Sequence, residues 1–133
     1  MNAREIIRLA RFGLVGLSAS ATHYVSVIAL VEINAVNPLI ANIGGFFAAF
    51  WVSYFGHRFW TFGDRNNINS GAFLRFFATA LFGFGLNEIL FYLMLAYTAI
   101  PYTVALAIAV ITVAISTYLL SRVWAFRSQE IQP

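Results

Sequence analysis

Four apolar runs, at about residues 12–31, 38–55, 76–97 and 101–120, contain between them one formally charged residue, Glu88. Each is about 20 residues long, which as a helix rising 1.5 Å per residue makes about 30 Å, the thickness of a bilayer's hydrocarbon core. A chain of 133 residues that is 61% hydrophobic and 10% charged cannot hide that much apolar surface from water, since soluble domains carry about 25% charge. The fold class predicted is an all-α membrane protein, a single membrane domain over residues 1–133 with four transmembrane helices.

The segments between the runs are short. Glu32 to Asn37 and Thr98 to Ile100 are tight connections, and Pro38 and Pro101 open the helices that follow, where the missing N–H costs nothing. The turn-rich polar stretch is Gly63 to Ala72, inside a loop at about 56–75. Residues 1–11 read as an amphipathic lead-in with Arg4, Arg8 and Arg11 on one face, expected to lie along the membrane surface before the chain turns inward. Ala19-Ser20-Ala21 resembles a signal-peptide cleavage site, but the apolar core before it runs only from Phe12 to Leu17 and the run continues to Val31, so cleavage is not expected. The tail from Ser128 to Pro133 is expected to fray.

Arginine placement predicts the orientation. Three arginines precede the first run, Arg58, Arg65 and Arg75 surround the central loop, and Arg122 and Arg127 follow the last run; the two short connections hold none. The positive-inside rule then puts both termini and the central loop in the cytoplasm of a cell with an inner membrane.

The halves of the chain echo one another. Arg11-Phe12 opens the first run and Arg75-Phe76 the third, while Arg58, Trp60 and Phe62 map onto Arg122, Trp124 and Phe126 at the same 64-residue offset, as does Tyr54 onto Tyr118. This predicts two tandem parallel helical-pair repeats related by an axis along the membrane normal. The prolines are 63 apart, so the outer turns differ by one residue. Arg and Trp are also what any cytoplasmic helix end uses as an interface anchor.

On Arg-Phe-x-x-Val-Gly at Arg11–Gly16, Arg-x-Trp-Thr-Phe at Arg58–Phe62, Arg75-Phe76 and the late Arg-x-Trp-x-Phe at Arg122–Phe126, the chain resembles the GtrA-like proteins over about residues 8–127. The resemblance implies a four-span bacterial inner-membrane protein that helps translocate polyprenyl-phosphate-linked sugars for cell-surface polysaccharide. One position departs: the family usually has Asn directly before the first of these arginines, and here it is His57. Histidine also donates a hydrogen bond and brings a titratable charge to that level.

Polar residues inside the apolar runs are costly and therefore informative. His23 lies about 17 Å along the first helix from Phe12, near the midplane, and the 64-residue offset carries it onto Asn87, beside Glu88. The expectation is a midplane polar layer of His23, Asn87 and Glu88, acting on sugar hydroxyls or as a proton relay, or else as an interhelical hydrogen-bond staple worth about 1 kcal/mol. Gly16, Ala19, Ser20 and Ser26 share the face of His23 and are expected to meet protein rather than lipid; Gly44-Gly45 and Ala105, Ala109 and Ser116 read as close-contact faces. Asn42 reads as a cap or packing group more readily than as a contact for an exiting sugar.

Arg58, Arg122, Arg11 and Arg75, with His57, form the candidate phosphate site at the cytoplasmic helix ends. A guanidinium takes two phosphate oxygens at once, which lysine cannot, and the basic residues here are all arginine. Topology and snorkelling account for the same positions. Trp60, Trp124, Phe62 and Phe126 are expected to form the interface aromatic belt, and Trp51 with Phe46, Phe47 and Phe50 to serve helix packing or a lipid-facing surface rather than a groove for the lipid tail.

No cysteine, phosphate-cradling glycine loop, metal-ligand spacing or nucleophile–base pair is present. The chain is thus expected to be a transporter rather than an enzyme, with no cofactor, no metal and no nucleic-acid partner. The expected partners are a polyprenyl-phosphate sugar, membrane lipid, and a second copy or a membrane glycosyltransferase. A non-transporting anchor of a glycosyltransferase and a proton-coupled small-molecule exporter are the other functions these features allow.

Overall fold

In the computed structural model, residues 1–61, 63 and 70–127 are described, with side chains described for 1–61, 63 and 73–116. Among the described residues four α-helices run in order: α1 (Ala3–Asn34), α2 (Pro38–Gly56), α3 (Ser70–Tyr97) and α4 (Tyr102–Arg127), with one π-helical turn, His57–Thr61, continuing α2. Three segments among the described residues, Ala3–Asn34, Pro38–Thr61 and Phe73–Tyr97, are long and apolar enough to cross a membrane, and Tyr102–Ser116 adds a shorter apolar stretch.

Helix α1 begins in a capping box: Asn2 Oδ1 accepts from the Glu5 amide at 2.9 Å and Glu5 Oε2 accepts from the Asn2 amide at 3.0 Å, which satisfies two of the donors a helix start exposes. The helix then runs unbroken for 32 residues, about 48 Å. The lead-in expected to turn along the membrane surface is therefore the first turns of the same helix. The sequence changes character at Arg11, but nothing in residues 3–11 interrupts the backbone hydrogen bonding. Ala35, left-handed at φ 52°, ends α1. Asn37 then caps α2 by accepting from the Leu39 amide at 3.0 Å, with Pro38 in the first turn.

The expected central loop contracts in the same way. The π turn takes up 57–61 and α3 starts at Ser70 rather than near Phe76, and α4 extends from Tyr102 to Arg127. Phe62, residues 64–69 with Arg65, and the tail 128–133 lie outside the described residues, as do the side chains of Arg122, Trp124 and Phe126.

The chain divides into two compact units, Met1–Phe84 and Gly85–Pro133. In the first, α1 buries Val15, Ala19, His23 and Val27, a four-residue spacing that makes one stripe. Facing it, α2 buries Ala41, Asn42, Gly45, Phe46, Ala49 and Phe50. Small residues let the two backbones close up: a Cβ on Gly45 would stand 2.9 Å from the carbonyl oxygen of His23. The start of α3 joins through aromatic rings, with Phe50 meeting Phe73, Phe76 and Phe77 at 5.9, 5.7 and 5.2 Å between centroids, and Phe84 stacked on Phe46 at 4.5 Å. In the second unit the buried residues, among those described, are Asn87, Phe91, Ala105, Leu106 and Ala109. Each lies 64 positions after a buried residue of the first unit: His23, Val27, Ala41, Asn42 and Gly45.

Candidate functional site

Two places in the first unit gather polar groups, one at the end of the α1–α2 pair that carries the arginines and one in its middle. At the basic end, Gly56 lets α2 press onto Val15 of α1, where a Cβ would come within 2.7 Å of the valine. The helix then widens into the π turn. Such turns leave backbone groups outside the ordinary i to i−4 pattern. Arg11 of α1 reaches across to one of them: its Nη1 donates to the Trp60 carbonyl oxygen at 3.2 Å, and its guanidinium carbon lies 5.7 Å from the Trp60 ring. Arg11 and Trp60, 49 residues apart in sequence, are thereby one cluster.

Arg58 is fixed from its own helix. Its Nη1 donates to Tyr54 Oη at 2.8 Å, one turn back, and its guanidinium carbon sits 5.5 Å from the Phe59 ring. The side chain is exposed, and a guanidinium carries five N–H donors in a planar fork. Held from behind by a phenol and an aromatic face, it retains donors for an anion such as a phosphate. Arg75, on the first turns of α3, is exposed as well.

His57 takes a different position from the one its neighbour suggests. It is buried, stacked on Phe12 at 4.7 Å and 26°, edge-on to Phe76 at 6.1 Å, with Nδ1 3.2 Å from Thr61 Oγ1. The ring packs α1, α2 and α3 together beneath the arginines. Trp60 is exposed.

In the middle of the pair, His23 Nε2 and Asn42 Oδ1 are 2.6 Å apart, both residues buried. An amide oxygen only accepts, so Nε2 carries the proton of this bond. Sequence reasoning joined His23 to Asn87 and Glu88 and read Asn42 as a cap or packing group; the structure gives His23 a partner on the adjacent helix. Asn87 is buried and Glu88 half-buried within the second unit. The signal for the missed pairing was available: His23 and Asn42 are polar groups of consecutive helices, and Gly45, one turn from Asn42, marks a close approach. Beside His23 opens a shallow hollow of about 160 Å³, lined by Ala19, Ser20, His23, Phe46, Ala49, Phe50, Ser53, Phe76 and Ala80. It sets three polar side chains against aromatic walls.

Replacing Asn42 with leucine, the residue found 64 positions later, is expected to cost about 1–2 kcal/mol, because His23 loses its acceptor where water cannot replace it. His23→Leu added to Asn42→Leu should recover part of that cost. Unfolding midpoints of the detergent-solubilised variants check this, and costs that simply add would mean the pair is uncoupled.

Comparison with known proteins adds one finding. A family model described as the GtrA/DPMS transmembrane domain matches residues 11–126, from the arginine that reaches Trp60 to the last phenylalanine of the repeated ending. No curated protein and no solved structure matches the chain.

Proposed function

We propose, because the chain belongs to the GtrA/DPMS transmembrane-domain family, that it moves a polyprenyl-phosphate-linked sugar from the cytoplasmic to the outer leaflet of a bacterial inner membrane. The family ties the protein to processes on polyprenyl-linked sugars, and its helices make it a membrane protein. The observation that carries the finer reading is the basic end of the first unit. There Arg11 and Arg58 are each fixed by a hydrogen bond and an aromatic face, which supports a grip on a lipid phosphate.

The helical pairs α1–α2 and α3–α4 are read as tandem repeats. The burial pattern that returns after 64 residues supports this together with the repeated Arg-x-Trp-x-Phe ending. Each hairpin begins and ends at an arginine-bearing end, so the charge distribution favours both termini and the central loop in the cytoplasm. Arg122 is then the counterpart of Arg58 and contributes a second phosphate grip. The carrier's phosphate is held at these arginines while its sugar passes the middle of the helices, where His23 with Asn42, and Asn87 with Glu88, offer hydrogen-bonding groups. Four spans are few for a sugar-sized path, so a second copy or a membrane glycosyltransferase is the expected partner. No covalent chemistry is assigned to the chain.

The test is reconstitution into vesicles holding a polyprenyl phosphoglucose with a nitrobenzoxadiazole label on its head group, with dithionite added outside. Protein should expose inner-leaflet lipid to bleaching. Arg58→Lys and Arg122→Lys should insert normally yet lower carrier affinity about tenfold, since one bidentate guanidinium contact is lost in each. Unchanged affinity in both would reduce these arginines to topology anchors. Absence of transport with retention of a co-purifying glycosyltransferase would favour the anchoring role.

A further inference from the structure

The outward side of α2 carries rings at every fourth residue toward its basic end: Trp51, Phe55 and Phe59, which are 46, 48 and 67% exposed. They are stacked. Trp51 lies over Phe55 at 5.6 Å and 23°, and Phe55 over Phe59 at 6.0 Å and 9°. The track ends on Arg58, whose guanidinium carbon stands 5.5 Å from the Phe59 ring and whose Nη1 is tied to Tyr54 Oη.

The exposed face of α1 beyond Phe12 carries aliphatic side chains such as Leu14, Leu17 and Val25. The three rings instead form a continuous polarisable strip with centroids about 6 Å apart along the helix, a spacing comparable with one extended five-carbon isoprene unit, so methyl-branched, unsaturated units can lie along the strip in turn. A single oriented guanidinium at one end complements a single phosphate.

We propose that this track is the binding site for the isoprenoid chain of the carrier, with the rings taking the units nearest the head and Arg58 the phosphate. The proposal rests on the reading that the ligand is a polyprenyl phosphate and adds where its tail lies.

Full-length protein in phosphatidylcholine nanodiscs would be titrated with undecaprenyl phosphate, undecaprenol and dioleoyl phosphatidic acid. Wild-type protein should bind undecaprenyl phosphate about tenfold or more tighter than either of the others. Trp51→Leu/Phe55→Leu should lower the affinity for undecaprenyl phosphate about tenfold and leave phosphatidic acid unchanged. Arg58→Gln should weaken both phosphate lipids alike. Phe82→Leu, an exposed ring away from the track, should match wild type, which controls for general loss of aromatic surface.

Wild-type affinity in the Trp51→Leu/Phe55→Leu protein would overturn the track while leaving the translocation reading intact. So would equal binding of phosphatidic acid and undecaprenyl phosphate, or a change in self-association with no change in lipid binding. Failure of undecaprenyl phosphate to bind the wild-type protein at all would remove both.

Discussion

Alanine at position 45 is expected to force α1 and α2 apart. A Cβ there would stand 2.6 Å from Val27 Cγ2, 2.8 Å from His23 Cδ2 and 2.9 Å from the His23 carbonyl oxygen. The valine and the imidazole can rotate, but the carbonyl belongs to the helix backbone, so relief requires the helices to separate. Separation also lengthens the 2.6 Å bond between His23 and Asn42. Overpacking in a tight core costs about 1–3 kcal/mol, and this substitution should fall at the upper end.

Gly56→Ala makes the contrast, because its nearest neighbours are the side-chain atoms of Val15, at 2.7, 2.9 and 3.4 Å. Its cost should be largely rescued by Val15→Ala. Val27→Ala should fail to rescue Gly45→Ala, since the carbonyl remains. Gly16→Ala meets nothing within 4 Å and should be neutral or slightly stabilising through helix propensity. Denaturant midpoints of the detergent-solubilised proteins decide the matter. A Gly45→Ala midpoint equal to that of Gly16→Ala would mean the close approach does not hold the pair together.

The same contact explains which parts of the molecule could be read from sequence. Hydropathy reports where a helix meets hydrocarbon, and the four apolar runs accordingly mark four helices. It does not report where backbone hydrogen bonding stops. Arg4 to Arg11 and Ser70 to Arg75 are polar enough to leave the bilayer core but helical enough to extend α1 and α3. The arginine-bearing endings were legible as motifs, and Arg58 with Tyr54 follows from helical spacing alone. That Arg11 closes on Trp60 depends on how α1 and α2 are registered, which side-chain spacing within one helix does not encode.

The same holds for His23. Residue counting along one helix does not reach its partner, because a pair across two helices is set by the glycine that lets them touch. His57 shows the converse failure. Its place beside Arg58 suggests a shared ligand, whereas consecutive residues of a helical turn point in different directions, and this one turns inward onto Phe12 and Phe76.

Glu88→Gln is expected to stop translocation while leaving the protein assembled. Glu88 lies nine residues before the end of α3 at Tyr97, about 14 Å in from that end, and a hydrocarbon core whose edge met Tyr97 would have it near the middle. Placing a carboxylic acid there costs about 2.5–3.5 kcal/mol on insertion scales, and Asn87 beside it is buried. Glutamine keeps the length, the volume and the hydrogen-bonding capacity of the side chain but cannot hold and release a proton.

The two roles open to Glu88 therefore respond differently to one substitution. A structural hydrogen bond, worth about 1 kcal/mol, survives the change with little loss of stability and full flux. A group that relays a proton loses flux by at least on the order of 100-fold at unchanged unfolding midpoint. Dithionite bleaching of a labelled polyprenyl phosphoglucose, run across pH in wild-type and variant vesicles, separates them. A pH-dependent wild-type rate that disappears in Glu88→Gln supports the relay, and wild-type flux in the variant would sink it, leaving the arginine-bearing ends to account for carrier handling alone.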